Sequence, residues 1–342
     1  MATMADIADR AGVALSTVSY VLSGKRSVSE ETRQRVFQAI AELDYQPHAM
    51  ARGLASKRTK TIALLFPALA KGHSEMRWEF VARAAEVAAE HGYAFLLWTA
   101  PDNDAEILQL TQQGRIDGLI LMEIKLHDSR VELLQARRYP FSLIGHCQHN
   151  DGISFVDFDF EHAIASAVRH LVELGHRRIA LFNHSVDLLE AGYGPAVRSL
   201  NAFEQATRAH GVDGIAVTCD SAGQGGYTTA QSLLAQHPEL SAALVLHETA
   251  IGGVTQALRG AGLRIPDDFS LVCLISARLA EIMTPTLTTI DFPAAEMGRI
   301  GAELLIQQLE GHLEQPVQHL LRGSLTVRQS SAPFRQRAMQ LS

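Results

Sequence analysis

From Thr61 onward the sequence alternates short apolar runs with amphipathic segments, and this pattern constrains the fold more than any other feature. Continuous apolar runs of this length are typical of strands buried on both faces of a parallel sheet, with helices as the crossovers. Segments 79–91 and 195–210 are two of the predicted helices. The predicted strands are too many for one small sheet, so we expect two doubly wound subdomains. The apolar runs are TIALLF, YAFLLW, GLILM, FSLIGH, RIALFN, AALVLH and FSLVCL.

Ligands of doubly wound folds bind beyond the carboxyl ends of the strands. The residues that follow each run are therefore the candidate ligand contacts. No glycine-rich phosphate loop follows a strand, which argues against a nucleotide, and no cofactor is predicted. The candidates are Pro67, Trp98, Glu123, His146, Asp157, Asn183, His247, Glu248 and Ile275.

The first sixty residues have a different, helical pattern. Thr3 can cap a first helix, and Gly12 supplies the left-handed residue that ends it. A second helix is predicted over 15–22, and a third begins after the N-cap residue Ser29. Three short helices, with a three-residue turn between the first two, indicate a helix-turn-helix. The apolar positions of the third helix recur at helical spacing, at Val36, Ile40 and Leu43.

The second helix of such a unit enters the major groove of DNA. Residues 1–60 carry nine Lys/Arg against six Asp/Glu, whereas the rest of the chain carries 21 against 31. A basic head on an acidic body favours a polyanion partner for the head alone. The alternative is a plain three-helix bundle with a solvated hydroxyl face. The groups available for phosphates or base edges are Ser16, Thr17, Ser19 and Ser23, followed by Lys25, Arg26 and Ser27.

The stretch MADIADRAGVALSTVSYVLSGKRSVSEETRQRVFQAIAELDYQPHAMARGLASKRTKTIALLFP resembles the N-terminus of the lactose-repressor (LacI/GalR) family. This resemblance continues through RHLVELGHRRIALFN and TPTLTTIDFPAAEMGRIGAELL and covers nearly the whole chain. It implies that Leu15, Ser16 and Tyr20 read the bases. Two residues depart from the family pattern: Ala14 replaces the usual serine cap, and Tyr20 stands where arginine or histidine is common.

Residues 47–60 are predicted to be a hinge. Pro47 ends the helical unit, and 49–55 form less than two helical turns, which is marginal for an isolated helix in water. A flexible linker is therefore the alternative in the absence of DNA. The resemblance implies paired hinge helices in the minor groove, with Leu54 as the apolar wedge and His48 in the place of the usual asparagine.

For the body, the resemblance implies a fold like that of periplasmic sugar-binding proteins, with an effector in the cleft. AVRSLNAFEQA places Arg198 at a ligand-contacting position, although a structural salt bridge is the alternative. His247 and Glu248 replace an Asn-Asp pair, and Ile275 replaces an aspartate that normally holds sugar hydroxyls. The effector is thus a sugar held differently, a less hydroxylated molecule, or absent. Glu123 and His146 are further candidates, with solvated strand-end residues as the alternative.

The predicted fold is an all-α helix-turn-helix domain plus an α/β body of two doubly wound parallel-sheet subdomains. The domains are the DNA-binding unit 1–46, the hinge 47–60, an N-subdomain (61–158 plus 290–315), a C-subdomain (159–289 plus 316–330) and a tail (331–342).

We predict a dimeric repressor of carbohydrate-catabolism genes that is controlled by a small molecule. An enzyme is not predicted, because the sequence assembles no nucleophile and base. Its partners would be a palindromic operator in double-stranded DNA and a saccharide effector, with the sign of the response open. A solute-binding protein without operator specificity is the alternative. We find no signal peptide or apolar run long enough to span a bilayer, and the three separated cysteines suit a reducing compartment, so the cytoplasm is predicted.

Overall fold

The computed structural model describes residues 2–23, 28–44, 58–66, 74–99, 104–220 and 224–335. The helices of the N-terminal unit are α1 (Met4–Ala11), α2 (Leu15–Ser23) and α3 (Glu30–Glu42). The helices of the body are α4 (Glu75–Glu90), α5 (Asp104–Gln112), α6 (Ser129–Ala136), α7 (Phe160–Glu173), α8 (Val186–Glu190), α9 (Gly194–His210), α10 (Gly225–Gln236), α11 (Glu248–Gly260), α12 (Ala277–Ile282) and α13 (Ala294–Glu310).

The strands form two separate sheets. They are β1 (Thr61–Leu65), β2 (Ala94–Trp98), β3 (Gly118–Leu121), β4 (Phe141–Ile144), β5 (Phe155–Phe158), β6 (Arg178–Asn183), β7 (Asp213–Thr218), β8 (Ala242–Val245), β9 (Ser270–Ile275), β10 (Thr288–Asp291), β11 (Gln318–Leu321) and β12 (Leu325–Thr326). The order in the first sheet is β11-β5-β4-β3-β1-β2, and in the second it is β12-β10-β9-β8-β6-β7. Every pair is parallel except β10 with β12.

The central strands are buried along their whole length because helices cover both faces of each sheet. Strands β3, β4, β8 and β9 contain no exposed residue, as their continuous apolar sequences predict. Helix α13 packs against α4 and β4 in the N-subdomain. Gly298 allows this close approach, since a Cβ there would collide with the carbonyl oxygen of Phe80. The predicted α/β body of two parallel-sheet subdomains is confirmed.

The N-terminal unit has its own small core. Ile7 and Val18 are fully buried, as is Val36 of α3, so each of the three helices contributes a central apolar side chain. Thr3 and Asp6 form the reciprocal hydrogen bonds of a capping box at the start of α1. Gly12 ends α1 with a φ of +65°, a conformation that costs glycine little because it lacks a Cβ.

The structure differs from the expected domain limits at the chain's last crossover. Residues 316–330 were expected in the C-subdomain, but β11 pairs with β5 in the sheet of the N-subdomain. The chain returns to the C-subdomain at β12, beside β10, and stays there through Ser330, whose carbonyl accepts from the N–H of Leu271 at 2.7 Å. Strand β11 is short and mostly exposed, and its sequence QHLL lacks the apolar run of a buried strand. Its partner is therefore decided by tertiary contact. Helix α4 also begins at Glu75, four residues before the predicted start.

Candidate nucleic-acid interface and effector cleft

The surface of α2 carries the predicted base-reading residues. Leu15 is 52% exposed and Tyr20 36% exposed, and Ser16 is exposed as well. Thr17 and Ser19 are half-buried. A leucine side chain left this open on a small helical unit is available for contact with a partner such as a base edge.

The start of α2 is held by backbone hydrogen bonds because Ala14 has no capping oxygen. The carbonyl of Ala14 accepts from the N–H of Thr17 at 2.8 Å and from the N–H of Val18 at 3.3 Å. Val18 is also fully buried, which fixes the rotation of the helix about its axis. Packing of Val18, rather than a cap, therefore orients the exposed face. Several predicted DNA contacts lie outside the described residues or their described side chains: Ser23, Lys25, Arg26, Ser27, His48 and Leu54.

A cavity lies where the carboxyl ends of the two sheets face each other. Its interatomic space is about 1050 Å³, part of it open to solvent. Phe66 follows β1, Glu123 follows β3, His184 follows β6 and His247 follows β8, so residues from strand ends of both sheets line it. The cavity thus occupies the place where doubly wound folds bind ligands.

Aromatic side chains form much of the cavity wall. Phe292 contacts Phe80 with ring centroids 6.0 Å apart, and it lies 6.2 Å from Phe160. Tyr193 closes another side, with its ring edge-on to His184 at 5.2 Å. Flat apolar faces of this kind suit the C–H faces of a sugar ring as well as an aromatic ligand.

Carboxylates supply the polar part of the wall. Glu123, Asp157 and Glu248 all line the cavity, together with the guanidinium of Arg77. Glu123 has a φ of +57°, which is uncommon for a residue with a Cβ and marks a strained strand end. Burial raises the pKa of the nearby Tyr193 phenol, and the negative charges of Glu123 and Asp157 raise it further. Tyr193 is therefore a neutral hydrogen-bond donor in this wall.

The two subdomains contact each other across the mouth of the cleft. Glu248, the first residue of α11, accepts a hydrogen bond at 3.3 Å from the backbone N–H of Met76 in the first turn of α4. Arg278 of α12 pairs with Glu75 at 3.3 Å. The pKa of Glu79 is raised by burial and then by the negative charges of Glu75 and Glu248. These contacts join the two subdomains across the mouth of the cleft.

A second connection between the subdomains centres on Asp157, whose side chain is only 2% exposed. The carboxylate of Asp157 contacts Nδ1 of His146 at 2.7 Å and Nη1 of Arg198 at 3.6 Å. Nη2 of Arg198 donates to the carbonyl of His146 at 2.8 Å and to that of Cys147 at 3.3 Å. Arg198 belongs to α9 of the C-subdomain, whereas the other three residues belong to the N-subdomain. The arginine therefore bridges the two.

Two neutral histidines stack at the cleft. The rings of His184 and His247 are 5.5 Å apart and nearly parallel. Burial lowers the pKa of His184 to about 3 and that of His247 to about 4. Nδ1 of His247 is 3.0 Å from the hydroxyl of Thr249. Both rings are uncharged at neutral pH and present flat faces and neutral nitrogens.

The structure thus brings three of the six predicted effector residues to the cavity surface, namely Glu123, His247 and Glu248. Among the described residues, His146 and Arg198 lie behind that surface, and Ile275 is fully buried in the core of the C-subdomain. Its neighbour Leu274 reaches the cavity instead, because successive side chains of a strand point to opposite faces. Sequence reasoning missed Arg77 and Tyr193 as cavity residues. The motif around Arg198 pointed to the helix that follows Tyr193, but not to Tyr193 itself.

Three further observations concern the part of the chain that the structure describes. It contains no helix long and apolar enough to cross a bilayer. It contains no group of three or more His, Cys, Asp or Glu residues placed to hold a metal ion. Cys147, Cys219 and Cys273 are free thiols, and all three are buried.

Comparison with known proteins supports the architecture. Residues 3–48 match the family model described as bacterial regulatory proteins, lacI family, and 168–331 match a periplasmic binding protein-like domain. The ribose operon repressor of Escherichia coli K12 is 32% identical over 320 residues, covering 90% of this chain and 93% of that protein. The chain belongs to the lacI family of bacterial regulatory proteins. The transcriptional repressor PurR of Shigella sonnei is 30% identical over 343 residues. The alignment covers 98% of this chain and 99% of that protein.

A solved structure agrees with this membership of the lacI family. The lac repressor dimer bound to operator and the anti-inducer ONPF superposes with a TM-score of 0.82 at 25% identity, covering 97% of this chain and 99% of that one. The relatives are transcriptional repressors rather than enzymes. This lacI-family chain is accordingly a DNA-binding transcriptional repressor with a helix-turn-helix head and an effector-type body.

Proposed function

We propose that the chain acts as a dimer that binds a palindromic operator and that a small saccharide in the cleft controls its affinity for DNA. The observation that carries the proposal is the combination of the exposed α2 face with a cavity between two subdomains on one chain. Because its proposed partner is DNA, we propose the cytoplasm as its site of action.

The DNA-reading step is assigned to Leu15, Ser16 and Tyr20. Their side chains are exposed on α2, and the lac repressor structure that resembles this chain was solved on its operator. One such unit contacts few base pairs, so two symmetry-related units are needed for a specific site. Leu54 and His48 are proposed to act in the minor groove, on the strength of the family resemblance.

The dimer interface is assigned to the free edge of the first sheet. Strand β2 is an edge strand, and its Leu96 is 40% exposed. Helix α4 packs beside β2 and exposes Trp78. An edge strand with large exposed apolar side chains is a surface on which another chain can pack. A second copy of this chain can do so about a two-fold axis, with the same residues contributed by both copies.

The cleft chemistry supports a saccharide. Hydroxyl groups can donate to the carboxylates of Glu123 and Glu248, while aromatic rings contact the apolar face of the sugar ring. The end of β9 reaches the cavity through the apolar side chain of Leu274, which offers no hydrogen-bond acceptor. We therefore propose a sugar held mainly from the N-subdomain and by Glu248.

Allosteric control would act through the contacts across the cleft. A ligand that hydrogen-bonds to Oε2 of Glu248 competes with the N–H of Met76 for that oxygen, and this competition weakens the contact between the subdomains. Coupling between two ligands of one protein is commonly about 1–3 kcal/mol, which is about 5- to 150-fold in affinity.

Two linked measurements test the proposal. Differential scanning fluorimetry of the full chain against a carbohydrate panel identifies the effector, and a duplex selected from random sequence supplies the operator. The expected results are a palindromic duplex, a dimer bound to it, and a change in duplex affinity on adding the stabilising sugar. A chain that binds a sugar yet shows no preference for symmetric DNA would instead be a solute-binding protein.

A further inference from the structure

Asp117 forms hydrogen bonds to the chain at the point where the predicted hinge joins the body. Its Oδ1 accepts from the backbone N–H of Thr59 at 2.7 Å and from the Thr59 hydroxyl at 2.9 Å. Its Oδ2 accepts from the N–H of Lys60 at 2.8 Å. The backbone N–H of Asp117 donates to the carbonyl of Thr61 at 2.7 Å. One residue thus binds three consecutive residues of the incoming chain.

Lys60 is held in an unusual conformation at this junction. Its φ is +49°, a left-handed value that a residue with a Cβ adopts at a cost. Its ammonium lies 4.0 Å from the centre of the Tyr93 ring and 3.3 Å from a carboxylate oxygen of Glu310. The carbonyl of Lys60 accepts from the N–H of Ala94 at 2.7 Å. Surrounding contacts therefore overdetermine the direction in which the hinge leaves the body.

This junction is connected to the effector cavity by a single strand. Strand β1 begins directly after Lys60 and lies in the middle of the sheet, between β2 and β3. Phe66, immediately after its other end, lines the cavity. At about 3.3 Å per residue, the two ends of β1 are roughly 17 Å apart. Tyr139 supports the junction, since its hydroxyl donates to the carbonyl of Ile116 at 2.7 Å.

We propose that Asp117 is a positioning residue for DNA binding, which holds Thr59 and Lys60 so that the orientation of the N-subdomain is imposed on the DNA-binding segment. This inference rests on the proposed function. Asp117 directly precedes β3 and so lies at the amino ends of the strands, opposite the carboxyl ends that form the cavity, and its role is independent of contact with the effector. The DNA-binding units of a dimer reach two half-sites together only when both exits point correctly.

The size of the loss in DNA affinity distinguishes a role in orienting the DNA-binding units from a simple lengthening of the connecting segment. Asp117→Ala removes the carboxylate that holds Thr59 and Lys60 but keeps the backbone N–H that donates to Thr61. Releasing two residues lengthens the connecting segment from about thirteen residues to about fifteen, which lowers the effective concentration of the second unit by roughly 1.2-fold. A loss well above twofold therefore requires that the junction sets direction as well as reach.

The test uses the full chain and a symmetric duplex that the wild-type chain selects from random sequence, with poly(dI-dC) as non-specific DNA. Asp117→Ala is expected to weaken binding to the selected duplex at least fivefold, with binding to poly(dI-dC) within twofold of wild type. Asp117→Asn retains one acceptor oxygen, and its affinity for the selected duplex is expected to lie between those of the wild type and Asp117→Ala. Asp268→Ala is the matched control, because Asp268 also accepts from a backbone N–H, that of Arg264 at 3.0 Å, but lies in the C-subdomain.

Hydrogen exchange of the Thr59 and Lys60 amides provides a readout that does not depend on DNA. Both amides are expected to be protected in the wild type and to exchange rapidly in Asp117→Ala, while the amides of β3 and β4 stay protected. Unchanged protection, or a selected-duplex affinity within twofold of wild type, would overturn the inference alone. If the wild-type chain selects no symmetric duplex, the proposed function fails, and the inference fails with it.

Discussion

Replacing Arg198 by methionine tests whether this arginine joins the subdomains or is reserved for a ligand. Its side chain is only 12% exposed and makes two hydrogen bonds to backbone carbonyls, together with the ion pair to Asp157. Asp157 is 2% exposed. Methionine keeps most of the apolar stem but removes every donor and leaves the buried carboxylate without its fixed positive charge.

The cost follows from these contacts. Removing one partner of a buried ion pair typically costs 3–5 kcal/mol. Here His146 and the N–H of Phe158 still donate to Asp157, at 2.7 Å each, so we expect a smaller loss of about 3 kcal/mol. For a body of this size that loss lowers the melting temperature by about 6–12 °C.

The assay is thermal unfolding of the ligand-free chain, followed by far-ultraviolet circular dichroism. Arg178→Met is the matched control: Arg178 also pairs with two carboxylates, those of Asp213 and Glu239, but its side chain is 46% exposed. Exposed pairs contribute about 0–1 kcal/mol, so the control should melt within about 3 °C of wild type. If Arg198→Met melts with the control, the structural role argued here is wrong and Arg198 is available for a ligand.

Three further predictions concern the interface, the cleft and the DNA-binding face. Leu96→Lys should shift the chain from dimer to monomer in sedimentation velocity, whereas Leu320→Lys on the opposite edge strand should leave it dimeric; a dimeric Leu96→Lys chain would exclude the β2 edge. His247→Asn should reduce the pH dependence of stability: burial holds the pKa of His247 at about 4, below its unfolded value near 6.5, so the wild type is fully stabilised above pH 6.5 and loses about 2 kcal/mol from this residue between pH 7 and 5. The free energy of unfolding is measured by urea titration at each pH, and an equal dependence on pH in the two chains would contradict that pKa. Tyr20→Ala should weaken binding to the selected duplex by about 1–3 kcal/mol and relax the preference at one base pair per half-site, with binding to poly(dI-dC) unchanged; equal losses on both DNAs would reject a base contact.

Local chemistry made the N-terminal unit predictable. The capping box at Thr3, the left-handed Gly12 and the apolar spacing of α3 each involve residues no more than about two helical turns apart. The structure has all three features, and the exposed position of Tyr20 follows from the burial of Val18 on the opposite side of α2. Central strands such as β3 and β8 were predicted for a similar reason, since a fully buried strand must be apolar throughout.

Edge strands and the cleft were harder to predict. Strands β7 and β11 are largely exposed, and neither has an apolar run of the kind that marks a buried strand. At the cleft, the sequence identified strand ends but not which side chains turn toward the cavity. Leu274 reaches it and Ile275 does not, because alternation along β9 depends on which face of the sheet meets the other subdomain.

By itself, the sequence determined the architecture and the family, because periodicity, capping residues and turn glycines act over a few residues. The tertiary structure alone decided how residues distant in the chain combine. It joined Arg198 to Asp157 across the two subdomains and placed Asp117 against Thr59 and Lys60 at the hinge. Such contacts depend on the packing of whole sheets and helices, and no local pattern encodes them.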